Sequence, residues 1–117
     1  MPMPEFHDVV NQAKKEIQEI GVEDLKHMQK SGEDFALVDV REREDAEQGT
    51  IPGATNIPRG MLEYNIDQLT TDKNRKIVCY CGGGSRSALA AASLKKMGFK
   101  NVISLAGGYR GWKKSGG

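Results

Sequence analysis

Cys81 stands immediately before Gly82, Gly83, Gly84, Ser85, Arg86 and Ser87. Ahead of it runs Ile77-Val78-Cys79-Tyr80, a short apolar stretch of strand formers, and behind it Ala88-Leu89-Ala90-Ala91-Ala92 favours a helix. The order strand, cysteine, glycine loop, helix suits thiol chemistry. A helix start exposes N–H groups without intrahelical partners and carries partial positive charge. Glycines let successive N–H groups curl inward into an anion cradle. A thiol at its mouth is stabilised as thiolate, the nucleophilic form. Arg86 adds a permanent charge at the far end of the loop. The plainer reading is a buried cysteine that ends a strand before an ordinary turn. Three glycines, an arginine and a helix start directly after Cys81 favour the reactive one.

The second cysteine, Cys79, lies two residues earlier. On an extended strand the two Cα atoms are about 6.6 Å apart, near the upper limit for a disulfide. Cys79 reads as a small core residue, with a resolving thiol as the sharper alternative. No second cysteine pair accompanies these two, and His7 and His27 lie far away in sequence, so no metal is expected.

The elements that must position Cys81 alternate between strand and helix. Phe6, Val9, Val10, Ala13 and Ile17 have helical spacing, and 17–20 is ambiguous between a helix end and a short strand. Val22, Leu25 and Met28 mark a second helix, ended by Ser31-Gly32, with His27 off its apolar stripe. Phe35–Val40 reads as a buried parallel strand, followed by a charged helix over 41–47. Residues 51–54 form a turn and 59–69 a mostly helical stripe, with Met61 and Tyr64 expected in the core or along a cleft. A strand over 101–105 leads through Gly107-Gly108 into a last helix holding Trp112, and Ser115-Gly116-Gly117 reads as a frayed tail. This alternation predicts an open α/β sheet of four to five parallel strands with helices on both faces. Cys81 then falls at a strand's C-terminal end, where such sheets bind ligands.

At these residues the chain resembles the rhodanese-like sulfurtransferases. Cys81–Ser87 fits their active-site loop, C-x-x-G-x-R followed by a small residue. Leu37–Glu42 is similar to their first signature, and Gly49–Pro58 to their second, with Thr50 where a histidine is common. Gly98-Phe99, Asn101-Val102, Leu105–Gly108 and Trp112 follow their C-terminal pattern. The resemblance implies a domain over 17–117 opened by a short strand, with 1–16 as a helical extension. It implies sulfur transfer from a small anionic donor such as thiosulfate, through a Cys81 persulfide, to cyanide, a thiol or a protein cysteine. Gly82, Gly83, Gly84, Ser85, Arg86 and Ser87 would form the substrate-binding loop. Asp39 and Arg41 would support it structurally, Trp112 would plug the core, and no cofactor is implied. Arg59, after Ile57-Pro58, is a candidate for the pocket mouth. With Thr50 in place of histidine no general base stands out. Two rivals are a sulfur-carrier or redox-sensing module and a cysteine phosphatase. The phosphatase needs five residues between cysteine and arginine, and four separate Cys81 from Arg86.

The chain's 117 residues amount to one domain, expected to be a monomer. There is no apolar run of membrane-spanning length, and Met1–Glu5 lacks the pattern of a secretion signal, so the expected compartment is the cytoplasm. The net charge of +1 hides a division. Residues 1–68 hold 7 Lys/Arg and 15 Asp/Glu, and residues 69–117 hold 10 Lys/Arg and 1 Asp. The basic part contains the cysteine loop and would attract small anions, unless the two parts neutralise each other across the fold. No basic run interleaved with aromatics suggests nucleic acid.

Overall fold

The structure, a computed structural model, describes residues 5–117; Met1–Pro4 of the N-terminal extension lie outside the described residues. Its centre is β4 (Lys76–Tyr80), whose Ile77–Tyr80 run is buried on both faces as expected for an inner parallel strand. On one side β4 pairs with β5 (Asn101–Leu105), and β5 with β1 (Gln18–Ile20). On the other it pairs with β2 (Ala36–Asp39), and β2 with β3 (Ala54–Asn56). All four pairings are parallel, so five strands stand in the order β1-β5-β4-β2-β3.

The period of two along each strand divides the core. Ala36, Val38, Val40, Ile77, Cys79 and Cys81 face α5 (Ser85–Lys96) and pack with its Ala90, Ala91 and Leu94. Leu37, Val78, Tyr80, Ile103 and Leu105 face the other way and meet Leu25 and Met28 of α2 (Val22–Lys30) and Trp112 of α6 (Gly108–Lys114). The alanines of α5 leave room for α1 (Phe6–Glu16), whose Val10 and Ala13 bury against Ala88 and Ala92. Within the extension α1 thus lies on α5, and the ambiguous 17–20 segment becomes the edge strand β1.

Three local expectations are corrected. The charged helix α3 spans only Arg43–Glu47, because Arg41 turns its side chain inward to Asp39. Residues 59–69 form a 3-10 turn, the short α4 (Leu62–Asn65) and a second 3-10 turn; Leu62 and Ile66 fill the core, while Met61 and Tyr64 are exposed. The C-terminal tail is not frayed: the N–H groups of Ser115 and Gly117 donate to the carbonyls of Gly111 and Trp112, and Lys26 Nζ donates to the Ser115 carbonyl.

Candidate active site

The loop between β4 and α5 is held from behind. The N–H of Tyr109 donates to the Cys81 carbonyl at 2.8 Å, and that of Arg110 to the Gly82 carbonyl at 3.1 Å. Only glycine fits at 108, since a Cβ there would lie 2.5 Å from the Cys81 oxygen. With its carbonyls occupied by α6, the loop turns its N–H groups toward the sulfur. Gly84 N–H lies 3.1 Å from Cys81 Sγ and Ser87 N–H 3.4 Å, with the Ser87 hydroxyl at 3.6 Å. Gly84 reaches this position with φ +106°, open to glycine at little cost.

Burial pushes the Cys81 thiol up, but the Ser87 hydroxyl and the N–H groups of Ser87, Gly84 and Gly83 together outweigh it. The net result is a thiol held below the ordinary cysteine range. Ser87 is itself held by Ser104 of β5, Oγ to Oγ 2.8 Å, with both side chains fully buried. When Ser87 donates to a thiolate, the Ser104 hydroxyl can donate to Ser87, a chain in which each bond polarises the next. Ser87→Ala removes one donor from the sulfur. It raises the thiol pKa and, at pH values below that pKa, slows alkylation of Cys81 about fivefold, the factor for a ~1 kcal/mol hydrogen bond. A pH–rate profile checks this. Because the thiolate is the reacting form, the rate is flat above the pKa and falls as pH drops through it. In the Ser87 variant the falling limb moves to higher pH.

Cys79 is the opposite case. It has no exposure, and burial, which outweighs the relief from Arg59 and is joined by the charge of Cys81 nearby, pushes its thiol up to about 12. The two cysteines are not bonded to each other.

Cys81 is itself only 2% exposed. It forms the floor of a pocket of about 290 Å³ walled by Gly82, Gly83, Ser85, Arg86, Arg110 and Phe6 of α1. The pocket holds no histidine or carboxylate among the described residues, and Thr50 lies exposed on another loop. Ser85 lines the wall without bonding the sulfur, and Arg86 is exposed at the rim. Asp39 and Arg41 are not in the pocket. They form a buried pair at 2.8 Å, and the Arg41 guanidinium lies 4.2 Å from the centre of the Tyr109 ring, next to the residue whose N–H holds Cys81. Arg59 is brought elsewhere. It pairs with Glu63 and lines a larger cavity, about 490 Å³, between α1 and α5, where there is no cysteine.

At the start of β4, Lys76 pairs with Glu33 and Arg75 with Asp34, so there the acidic and basic parts of the chain neutralise each other. At the loop end neither Arg86 nor Arg110 has a carboxylate within 4 Å among the described residues.

Arg110 and Phe6 are the site residues that sequence reasoning missed. The available signal for Arg110 was topological: the turn after β5, beside β4, must flank a loop whose glycines leave space.

These features can be compared with known proteins. The model of the rhodanese-like domain matches residues 21–115. The chain belongs to the rhodanese-like family. A sulfurtransferase of Allochromatium vinosum is 34% identical over 100 residues, covering 86% of this chain and 92% of that protein. A Bacillus subtilis protein, YrkF, named as a candidate sulfur carrier, is 41% identical over 96 residues, covering 82% of this chain; the chain spans about half (51%) of YrkF. A solved Rhodopseudomonas palustris structure, titled a "possible tyrosine phosphatase", superimposes with TM-score 0.88 at 35% identity, over 100% of this rhodanese-like chain and 97% of that one. The match therefore includes α1, which precedes the residues the family model covers.

Proposed function

We propose that this rhodanese-like protein is a sulfurtransferase that carries sulfane sulfur as a persulfide on Cys81. The observation that carries the reading is the set of N–H donors at Sγ, with Gly84 at 3.1 Å, on the floor of a cationic pocket. In the first step the Cys81 thiolate attacks the outer sulfur of a donor such as thiosulfate. The new S–S bond forms as the donor's own breaks, and sulfite leaves with the electron pair. In the second, cyanide or a thiolate attacks the terminal sulfur, and the electron pair returns to Cys81. No proton is removed at the moment of attack, which suits a pocket without a base. The enveloping N–H groups serve the thiolate and the persulfide anion alike.

A sulfur-carrier role, in which a protein cysteine takes the sulfur, uses the same persulfide and is favoured by the likeness to YrkF. The phosphatase wording attached to the Rhodopseudomonas relative is opposed by the loop of this chain. Four residues between Cys81 and Arg86 leave it one short of the length that wraps a phosphate. The protein is read as a monomer acting in the cytoplasm.

The test is the intact mass after incubation with thiosulfate, and separately with cysteine persulfide. One added sulfur atom per chain is expected, discharged by cyanide. A chain that gains no sulfur from either donor would sink the reading.

A further inference from the structure

The loop that holds Cys81 has only glycine and serine between the cysteine and Arg86, so Arg86 at its far end is the one charge it brings to meet an anion. Two of those glycines leave a space that another element fills. A Cβ on Gly83 would lie 2.1 Å from Arg110 Nη2, and one on Gly82 would lie 3.1 Å from Arg110 Nη1. The guanidinium of Arg110 therefore lies along the bare backbone of the loop, in the volume a loop side chain would take. Its own backbone is fixed to the same loop through the Gly82 carbonyl. Arg86 lines the same pocket, and no carboxylate within 4 Å neutralises either, among the described residues.

We propose that Arg110, supplied by α6, is the donor-recognition residue of this pocket, and that with Arg86 it selects a doubly charged oxyanion as the carrier of the transferable sulfur. The proposal rests on the sulfurtransferase reading for its substrate but on geometry alone for its binding site. Guanidinium groups present N–H donors in a planar fork that matches an oxyanion, and hydrogen bonds to charged groups are the strong ones. Two such groups facing one small pocket favour a dianion over a monoanion of the same shape, because each adds its own attraction. As sulfur passes to Cys81 the charge collects on the departing oxyanion, which a guanidinium lying along the loop would stabilise.

The test does not depend on turnover. Cys81 is alkylated with iodoacetamide, a neutral reagent, at fixed ionic strength in the presence of sulfate or methanesulfonate, unreactive oxyanions of charge two and one. Sulfate is expected to protect Cys81 in the wild type at a concentration about tenfold lower than methanesulfonate. Arg110→Ala is expected to need about tenfold more sulfate, with little change for methanesulfonate. Gly83→Ala, which keeps the charge but displaces the guanidinium, should behave like Arg110→Ala. Arg110→Lys should recover part of the protection. Equal protection by the two anions, no protection in the wild type, or an Arg110→Ala curve that overlays the wild type would each overturn the proposal. The mass measurement on the wild type decides the sulfurtransferase reading separately, since anion protection and persulfide formation can fail independently.

Discussion

Cys81→Ser abolishes sulfur uptake and lowers sulfur transfer to cyanide by a factor on the order of 10³ or more, while Cys79→Ala leaves it within a factor of a few. A serine at 81 keeps the loop's shape and can accept the same N–H groups. Its hydroxyl is not ionised at neutral pH and cannot hold a sulfane sulfur as a persulfide does. The native thiol lies below the ordinary cysteine range because the donors from Gly83, Gly84 and Ser87 outweigh its burial. Cys79 cannot take over. It shares the sheet face with Cys81 but has no exposure, and its thiol is pushed up to about 12, so its thiolate population at neutral pH is negligible. Transfer rates and intact masses for the two variants check this. Cys81→Ser retaining more than about a hundredth of the rate, or Cys79→Ala losing as much as Cys81→Ser, would contradict it.

The two cysteines also mark what a reader of the chain can and cannot see. Strand, glycine loop and helix around Cys81 were legible because each is a local pattern: a continuous apolar run, residues free of Cβ, then an alanine-rich stretch. The parallel sheet and its helices on both faces followed from the alternation of such runs. The residues that complete the site came from elsewhere in the chain. Arg110 is 29 positions from Cys81, and Phe6 lies in a helix before the matched family residues. No local periodicity ties either to the loop. Ser104 reads as one more strand residue until the β4–β5 register sets it beside Cys79, on the face that meets Ser87. Arg59 shows the converse. Its place after Ile57-Pro58 suggested the pocket mouth, yet its i,i+4 partner Glu63 and the α1–α5 cavity hold it away. Local chemistry names a nucleophile well; which distant side chains surround it is a matter of topology.

The largest loss of stability is expected from Asp39→Ala, about 3–5 kcal/mol, because it leaves the Arg41 charge buried without its partner. Asp39 has no exposure and Arg41 little. The carboxylate accepts the Arg41 N–H at 2.9 Å, Nε at 3.0 Å and Nη2 at 2.8 Å, and the Tyr80 hydroxyl at 3.0 Å. The same hydroxyl accepts the Ile51 N–H, and Arg41 Nη2 also donates to the Gly49 carbonyl. One substitution therefore unties β2, the 49–51 turn and the end of β4, directly before Cys81. The Arg59–Glu63 pair offers a contrast. At 2.8 Å it is as short as the Arg41–Asp39 bond, yet its side chains are 31% and 39% exposed. Exposed pairs contribute about 0–1 kcal/mol, so Glu63→Gln should be nearly silent. The cost at Asp39 comes from an unpaired buried charge and not from the distance. The double variant Asp39→Leu/Arg41→Met should accordingly recover much of the loss, since an apolar pair leaves no buried ion behind. Urea midpoints for the three variants check the order. A loss below about 1 kcal/mol in Asp39→Ala, or a double variant no better than the single one, would show that water reaches Arg41 and that the pair is not what holds the loop end of the sheet together.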